Sequence, residues 1–213
     1  MGEHDRIKKL HDEIDILAED NTEKKQLQEI LKQKLISPDH PDVNTENITF
    51  YDLFHIDEIQ KIQDIFAEAT GVASIITRPD GTPITKPSNF CRLCNDIIRQ
   101  TEKGRKNCYH SDAILGKYNP SGPVLQPCLS GSLWDGGTSI RVGDRHVANW
   151  LIGQILDEDA DTDKMMDYAR EIGADEKEYY SALKEVKRMP VVQFKKICEA
   201  LYLIANQLSL LAV

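Results

Sequence analysis

The sequence predicts an α+β fold in which an antiparallel sheet is flanked by helices. The segment "VASIITRPDGTPIT" has a β-branched run, a Pro-Asp-Gly turn and a second short run, which together predict a β-hairpin. The segment "GTSIRVGDRHVANWLIGQIL" predicts two longer strands around a Val-Gly-Asp-Arg turn. Apolar residues recur at helical spacing before and after these strands, so helices are expected on both sides of the sheet.

Residues 1–36 predict a signalling helix that forms a coiled coil. Its apolar residues step by three and four positions: Ile7, Leu10, Ile14 and Leu17. Isoleucine at the a positions and leucine at the d positions favour a parallel two-stranded coil, and therefore a homodimer. A single amphipathic helix packed on the following domain is the alternative interpretation. The proline, Asp and Asn residues of 37–49 end the helix and predict a linker.

Residues 50–160 predict the α/β core of the protein. A first helix is expected to end at Gly71, which provides a C-cap. A second helix is expected in "CNDIIRQTEKGRKNCYHSDAILGKY", with a break near Gly104. Residues 161–213 predict further helices that complete the domain, and their apolar pattern continues to the end of the sequence. We therefore expect the last helix to lead into an effector domain.

Composition and charge exclude several classes of protein. The chain has 213 residues and a formal net charge of −9, whereas nucleic-acid binding needs a cationic surface. No apolar run is long enough for a membrane span, and "MGEHDRIKKL" lacks the apolar core of a signal peptide. We therefore expect a cytoplasmic protein with neither nucleic acid nor a membrane as its partner. No paired carboxylates, Ser-His-Asp order or phosphate-binding loop indicates an enzyme.

Four of the five cysteines fall in one short segment: Cys91, Cys94, Cys108 and Cys128. A C-x2-C pair with two further thiolates is typical of a Zn²⁺ or iron–sulfur site, although a second C-x2-C pair is missing here. Buried free thiols that line a core or a pocket are one alternative, because reduced cysteine is often buried, and a disulfide is another. We expect these four cysteines to lie close together and Cys198 to lie apart on the final helix.

The glycine-rich stretch before the longest predicted strands indicates a small ligand pocket. The candidate ligand-binding residues are Trp134, Asp135, Trp150 and Gln154, with Cys128 near the floor of the pocket. Tryptophan suits a half-wet pocket wall because it joins a large apolar surface to one N–H donor. Gln154 lies in an apolar strand and needs hydrogen-bond partners, so it is a candidate to face a ligand. In a regular strand, Trp150 and Gln154 share one face.

The sequence over about residues 45–160 resembles the PocR-type sensory domain. The resemblance is carried by "FCRLC", "IIRQTEKGRKNCYHSDA" and "GPVLQPCLSGSLWDGGTSIRVGDRHVANWLIGQIL". Cys91, Cys108 and Cys128 match recurring cysteines of that family, whereas Cys94 is shared by only some members. The resemblance implies a PAS-like fold and a small hydrocarbon derivative, such as a short diol, as the ligand. It also implies an effector domain outside this chain: a histidine kinase, a cyclic-dinucleotide enzyme or a transcription regulator.

We therefore expect a non-enzymatic signal-input domain that binds a small organic molecule in a PAS-like pocket. The alternative is a metal or redox sensor in which the cysteine cluster holds zinc or an iron–sulfur cluster. The two hypotheses share Cys128 and otherwise use different residues, because the pocket depends on the tryptophans, Asp135 and Gln154 and the metal site on the other cysteines.

We predict that truncation before Ser37 weakens dimerisation but leaves the sensory domain folded. The reason is that the predicted linker separates the coiled-coil residues from the core, while the last helix contributes the rest of the dimer contact. Light scattering at tens of micromolar, with and without residues 1–36, measures the effect. A full chain that is monomeric under these conditions would contradict the dimer, and loss of cooperative unfolding in the truncated chain would place the first helix in the core.

Overall fold

The computed structural model describes residues 48–158, 160 and 162–212. The predicted coiled coil of residues 1–36, and the predicted linker up to residue 47, lie outside the described residues. Both therefore stay predictions.

Four antiparallel strands form one open sheet in the order β1-β4-β3-β2. Their bounds are β1 Ala73–Thr77, β2 Val124–Pro127, β3 Trp134–Val142 and β4 Arg145–Ile155. The tight turn between β3 and β4 is the one that the sequence predicts, and Gly143 adopts a φ of 56° in it. β4 lies between β1 and β3 and is therefore hydrogen-bonded along both of its edges.

Helices pack on both sides of this sheet and beyond its end. Their bounds are α1 Phe50–Leu53, α2 Ile56–Thr70, α3 Glu102–Leu115, α4 Thr162–Glu171, α5 Glu176–Glu185 and α6 Val191–Leu211. A π-helical turn, Leu93–Ile97, and a 3-10 turn, Ile98–Gln100, precede α3. The predicted α+β, PAS-like arrangement of an antiparallel sheet flanked by helices is confirmed. Among the described residues, no helix is both long and apolar enough to cross a membrane.

The predicted hairpin in "VASIITRPDGTPIT" forms only in part. The turn is present, since Gly81 adopts a φ of 87° and its N–H donates to the Arg78 carbonyl at 2.9 Å. The returning segment makes an isolated bridge between Thr77 and Pro83 in place of a second strand. Pro83 has no backbone N–H to donate, so it cannot continue a ladder with β1.

The helix break predicted near Gly104 lies three residues earlier, at Thr101. Thr101 has an extended ψ of 145°, and its side-chain oxygen accepts a hydrogen bond from the Gly104 N–H at 3.0 Å. Thr101 is therefore the N-cap of α3, and Gly104 lies in the first turn of that helix. A Cβ at Gly104 would stand 2.2 Å from the Ile98 carbonyl oxygen, which explains why glycine is needed there.

The two faces of the sheet carry different cores. One face packs against α2 and α6 and buries Ile76, Ile140 and Trp150 together with Phe194 and Leu201 of α6. The other face packs against α3 through a smaller cluster, Ile75, Leu115 and Leu151. A third cluster joins α4 and α5 to the helical turns before α3 and contains Leu93, Ile98, Tyr179 and Leu183. The α2 and α6 face therefore holds the largest apolar core around the sheet.

We predict that Trp150→Ala destabilises the domain by about 3–5 kcal/mol, the usual cost of truncating a large buried aromatic side chain. Trp150 is fully buried, its indole N–H donates to Ser74 Oγ at 2.9 Å, and its ring lies 6.2 Å from that of Phe66. Urea denaturation measures the change. The matched control is Trp150→Phe, which keeps most of the apolar contact and should cost clearly less; equal losses for the two variants would contradict the packing argument.

Candidate ligand-binding cavity

A β-bulge in β4 shapes the site. Trp134 pairs with Ile155 and Gly136 pairs with Ile152, so Gly153 and Gln154 together oppose the single residue Asp135. Gly153 has a φ of 151° and Gln154 a φ of 57°, and both values are rare for residues other than glycine. Two residues opposite one, with a positive φ, define a β-bulge, and β-bulges are common beside functional sites. The bulge interrupts the alternation of side chains along β4.

The prediction that Trp150 and Gln154 share a face is wrong because of this bulge. Trp150 lies among the apolar residues that face α2. The Gln154 side chain instead accepts a hydrogen bond from the Cys91 N–H at 2.9 Å and lies against the helical turns before α3. Trp134 is half-buried and also packs against the α2 and α6 core. The structure therefore separates the two tryptophans from Asp135 and Gln154.

Two neighbouring cavities lie between the sheet and the segment that leads into α3. They share four polar residues on their walls: Arg99, Asp112, Asp135 and Gln154. The rest of the first cavity is largely apolar and includes Ile75, Phe90, Leu115 and Leu151. The rest of the second includes Cys94, Cys108, Cys128, Ser111 and Ser130. Each cavity has a volume of about 20 Å³. Because one bound water needs about 10–15 Å³, each cavity admits only a small group.

Arg99 and Asp112 form an ion pair in the cavity wall. Arg99 Nη2 lies 2.9 Å from Asp112 Oδ2, and the exposed fractions of the two side chains are only 14% and 8%. The guanidinium also lies over the Phe90 ring, 5.1 Å from its centroid. Arg99 Nε is buried and has no hydrogen-bond partner among the residues that the structure describes. Because a buried N–H without an acceptor is costly, this atom is a candidate donor to a bound molecule.

The second carboxylate of the cavity, Asp135, is held by the bulge. Its Oδ1 accepts a hydrogen bond from the Gln154 N–H at 2.6 Å. Burial raises the pKa of Asp135 to about 7, an effect that the backbone N–H of Gln154 opposes. Burial also raises the pKa of Asp112 to about 6, with the nearby Arg99 charge opposing it. The cavity therefore contains two carboxyl groups that are hard to ionise in the folded protein.

The cysteines lie together, as the sequence predicts. Cys94, Cys108 and Cys128 are buried in one cluster, which the half-buried Cys91 joins, while Cys198 belongs to the α6 core. All five cysteines are free thiols. The pKa of the Cys94 thiol is raised by its hydrogen bond to Cys91 and by burial, and burial raises the pKa values of Cys108 and Cys128.

These thiols do not form a recognisable metal centre. Within the ranges that the structure describes, no group of three or more His, Cys, Asp or Glu residues is arranged to hold a metal ion. Metal ligation also needs thiolates, whereas burial contributes to raised pKa values for Cys94, Cys108 and Cys128 and so favours their neutral forms; only the pKa of Cys91 is lowered, by its hydrogen bond to Cys94. Zinc or iron–sulfur binding by Cys91, Cys94, Cys108 and Cys128 therefore gains no support from this arrangement and stays a prediction.

Three predicted pocket residues line the cavities, and two important ones were not predicted. Asp135, Gln154 and Cys128 are in the walls. Arg99 and Asp112 were missed. A helical-periodicity argument finds Asp112, which lies four residues after Cys108 and three before Leu115 and so shares the buried face of α3. No comparable signal marks Arg99.

A family model described as the sensory domain found in PocR matches residues 52–213. The chain belongs to the PocR sensory-domain family. The match includes all the residues that line the two cavities, together with α6, and it confirms the resemblance in the sequence. PocR is a family of sensory domains, so the chain has a sensory role. Comparison with curated proteins and comparison with solved structures both give no match.

We predict that the free energy of unfolding falls as the pH rises from about 4 to about 7. The folded pKa of Asp135, about 7, lies above its ordinary value of 3.8, so the folded state binds more protons than the unfolded state between these values. The stabilising effect is complete below about pH 4 and is lost as the pH rises through about 7. Its size is on the order of a few kcal/mol, since one unit of pKa corresponds to about 1.4 kcal/mol.

Urea denaturation across this pH range tests the effect of Asp135. Asp135→Asn should flatten the profile, and the slope that remains should come from Asp112, whose folded pKa is about 6. An unchanged slope in Asp135→Asn would show that the carboxyl of Asp135 is not the group responsible.

Proposed function

We propose that the chain is the signal-input domain of a signal transduction protein and binds a small polar organic molecule in the cavity around Arg99, Asp112, Asp135 and Gln154. The observation that carries the proposal is the unpartnered Nε of Arg99 in a wall that also contains two buried carboxyl groups. A protein interior tolerates such a group poorly unless a ligand or water completes it.

The polar groups and the apolar wall are chemically suited to a short hydroxylated molecule. A hydroxyl group can accept a hydrogen bond from the Arg99 N–H and donate one to the carboxylate of Asp135. The apolar residues of the first cavity, Ile75, Phe90 and Leu151 among them, provide contacts for two or three carbon atoms. This chemistry agrees with the short diols that membership of the family suggests.

The signal passes from the cavity to α6 through β3. Asp135 faces the cavity, and the next residue, Gly136, lies directly on α6, where a Cβ would stand 2.4 Å from Cys198 Sγ. Near the other end of β3, the Arg141 N–H donates to Ser209 Oγ of α6 at 2.9 Å. A ligand that repositions Asp135 therefore also changes the position of α6 on the sheet. We propose that α6 carries this change to a second copy of the chain and to an effector domain.

Binding of short alcohols and diols tests the function. We predict that propylene glycol stabilises the full chain in thermal unfolding, and that Gln154→Gly weakens its binding as measured by calorimetry. Glycine tolerates the positive φ of Gln154, so this variant removes the side chain without backbone strain. Trp150→Phe is the control, because Trp150 lies on the opposite face and its replacement should leave the affinity unchanged. If no alcohol or diol of two to four carbon atoms binds, the proposed ligand site is wrong.

A double-mutant cycle tests the contact between β3 and α6. Gly136→Ala should destabilise the domain by about 1–3 kcal/mol, because its methyl group overlaps the Cys198 sulfur. Cys198→Ala removes that sulfur, so the double variant should recover much of the loss. Strictly additive effects of the two substitutions in urea denaturation would show that the two residues are not coupled.

A further inference from the structure

The charges in the cavity do not balance. Apart from the thiols, three ionisable side chains reach it, and one of them, Arg99, is already paired with Asp112 at 2.9 Å. The other carboxylate, Asp135, has neutral hydrogen-bond partners. Its Oδ1 accepts a hydrogen bond from the Gln154 N–H at 2.6 Å. Within the described part of the chain, none of the ion pairs includes Asp135. When both carboxyl groups are ionised, the site carries a surplus of one negative charge.

This surplus discriminates between classes of ligand. A carboxylate in a poorly solvated site is costly unless a cation accompanies it, so a ligand that brings a positive charge gains an ion pair with Asp135. A neutral hydroxyl offers Asp135 only a hydrogen bond, which is weaker than a charge-assisted one. A ligand carboxylate would meet Asp112 and Asp135 at close range and be repelled.

A cation alone leaves the other polar group of the site without a partner. The buried Nε of Arg99 is a donor and needs an acceptor oxygen or nitrogen. An ammonium group has no free lone pair and cannot accept this hydrogen bond, whereas a hydroxyl oxygen can. The two wall groups together therefore select a molecule that has both an ammonium group and a hydroxyl group.

We propose that the cavity binds a short-chain amino alcohol. Its ammonium group pairs with the carboxylate of Asp135, its hydroxyl oxygen accepts the N–H of Arg99 Nε, and its carbon atoms contact the wall formed by Ile75, Phe90 and Leu151. The small space in the two cavities restricts the carbon chain to a few atoms. This inference rests on the proposed function, because it names the class of ligand for the same site.

Four molecules of nearly equal size test the inference on the full chain by calorimetry at neutral pH. Isopropanolamine has both groups, propylene glycol replaces the ammonium with a hydroxyl, lactate replaces it with a carboxylate, and propylamine lacks the hydroxyl. We expect isopropanolamine to bind about tenfold or more tightly than propylene glycol, the difference typical of a charge-assisted bond. Propylamine should bind more weakly than isopropanolamine, and lactate should not bind.

Two variants assign each ligand group to its protein partner. Asp135→Asn should abolish the preference for isopropanolamine over propylene glycol, measured as the ratio of the two affinities in the same variant. Arg99→Lys keeps a positive charge opposite Asp112 but removes Nε, so it should abolish the preference for isopropanolamine over propylamine. The unfolding temperature of each ligand-free variant shows whether it is folded.

The possible outcomes separate this inference from the proposed function. If propylene glycol binds the unaltered chain as tightly as isopropanolamine does, the amino alcohol is overturned and the sensory cavity stands. If a folded Asp135→Asn variant keeps the full preference for isopropanolamine, Asp135 is not its counter-ion and the inference also fails. If none of the four molecules binds, both the inference and the proposed cavity are overturned.

Discussion

The site depends on the contact between the Asp135 carboxylate and the bulged backbone of β4. Asp135 Oδ1 lies 2.6 Å from the Gln154 nitrogen and occupies the space that a Cβ at Gly153 would need, at 2.1 Å. This contact holds Gly153 and Gln154 in conformations that a regular strand does not adopt. It turns Gln154 toward the cavity and lets Ile155 return to the apolar core, where it is fully buried. One hydrogen bond thus positions both the amide that lines the cavities and the end of the sheet.

The bulge gives the two faces of the sheet different surroundings: one faces the large apolar core and the other the cavities. The face against α2 and α6 holds the larger cluster of buried apolar residues, with the fully buried Trp150 among them. The face against α3 has the smaller apolar cluster, and beside it lie the buried charges and the cavities. β3 belongs to both, because Asp135 faces the cavity and Gly136 touches Cys198 on α6. A displacement of this strand by the proposed ligand would therefore change its packing against α6.

The fold follows from local sequence patterns, whereas the site depends on departures from them. Alternating residues around the Val-Gly-Asp-Arg turn predict β3 and β4, and periodic apolar residues predict α6. Assuming perfect alternation placed Gln154 beside Trp150, because the bulge arises from a tertiary contact with Asp135 that no local pattern shows. Arg99 was missed for a similar reason, since its burial depends on Asp112, thirteen residues later in the sequence.

The buried charges provide a way for the proposed ligand to drive a conformational change. No described residue accepts a hydrogen bond from Arg99 Nε, and Asp135 is poorly solvated, so both groups raise the free energy of the folded state. The proposed ligand lowers this free energy only in an arrangement of the cavity that brings the wall residues into contact with it. It therefore stabilises one arrangement of β3 relative to others, and the difference in affinity between the arrangements sets the largest shift that the ligand can produce. Gly136 lies so close to Cys198 of α6 that a Cβ would not fit between them. A change in the position of β3 at Gly136 therefore requires a change in the position of α6.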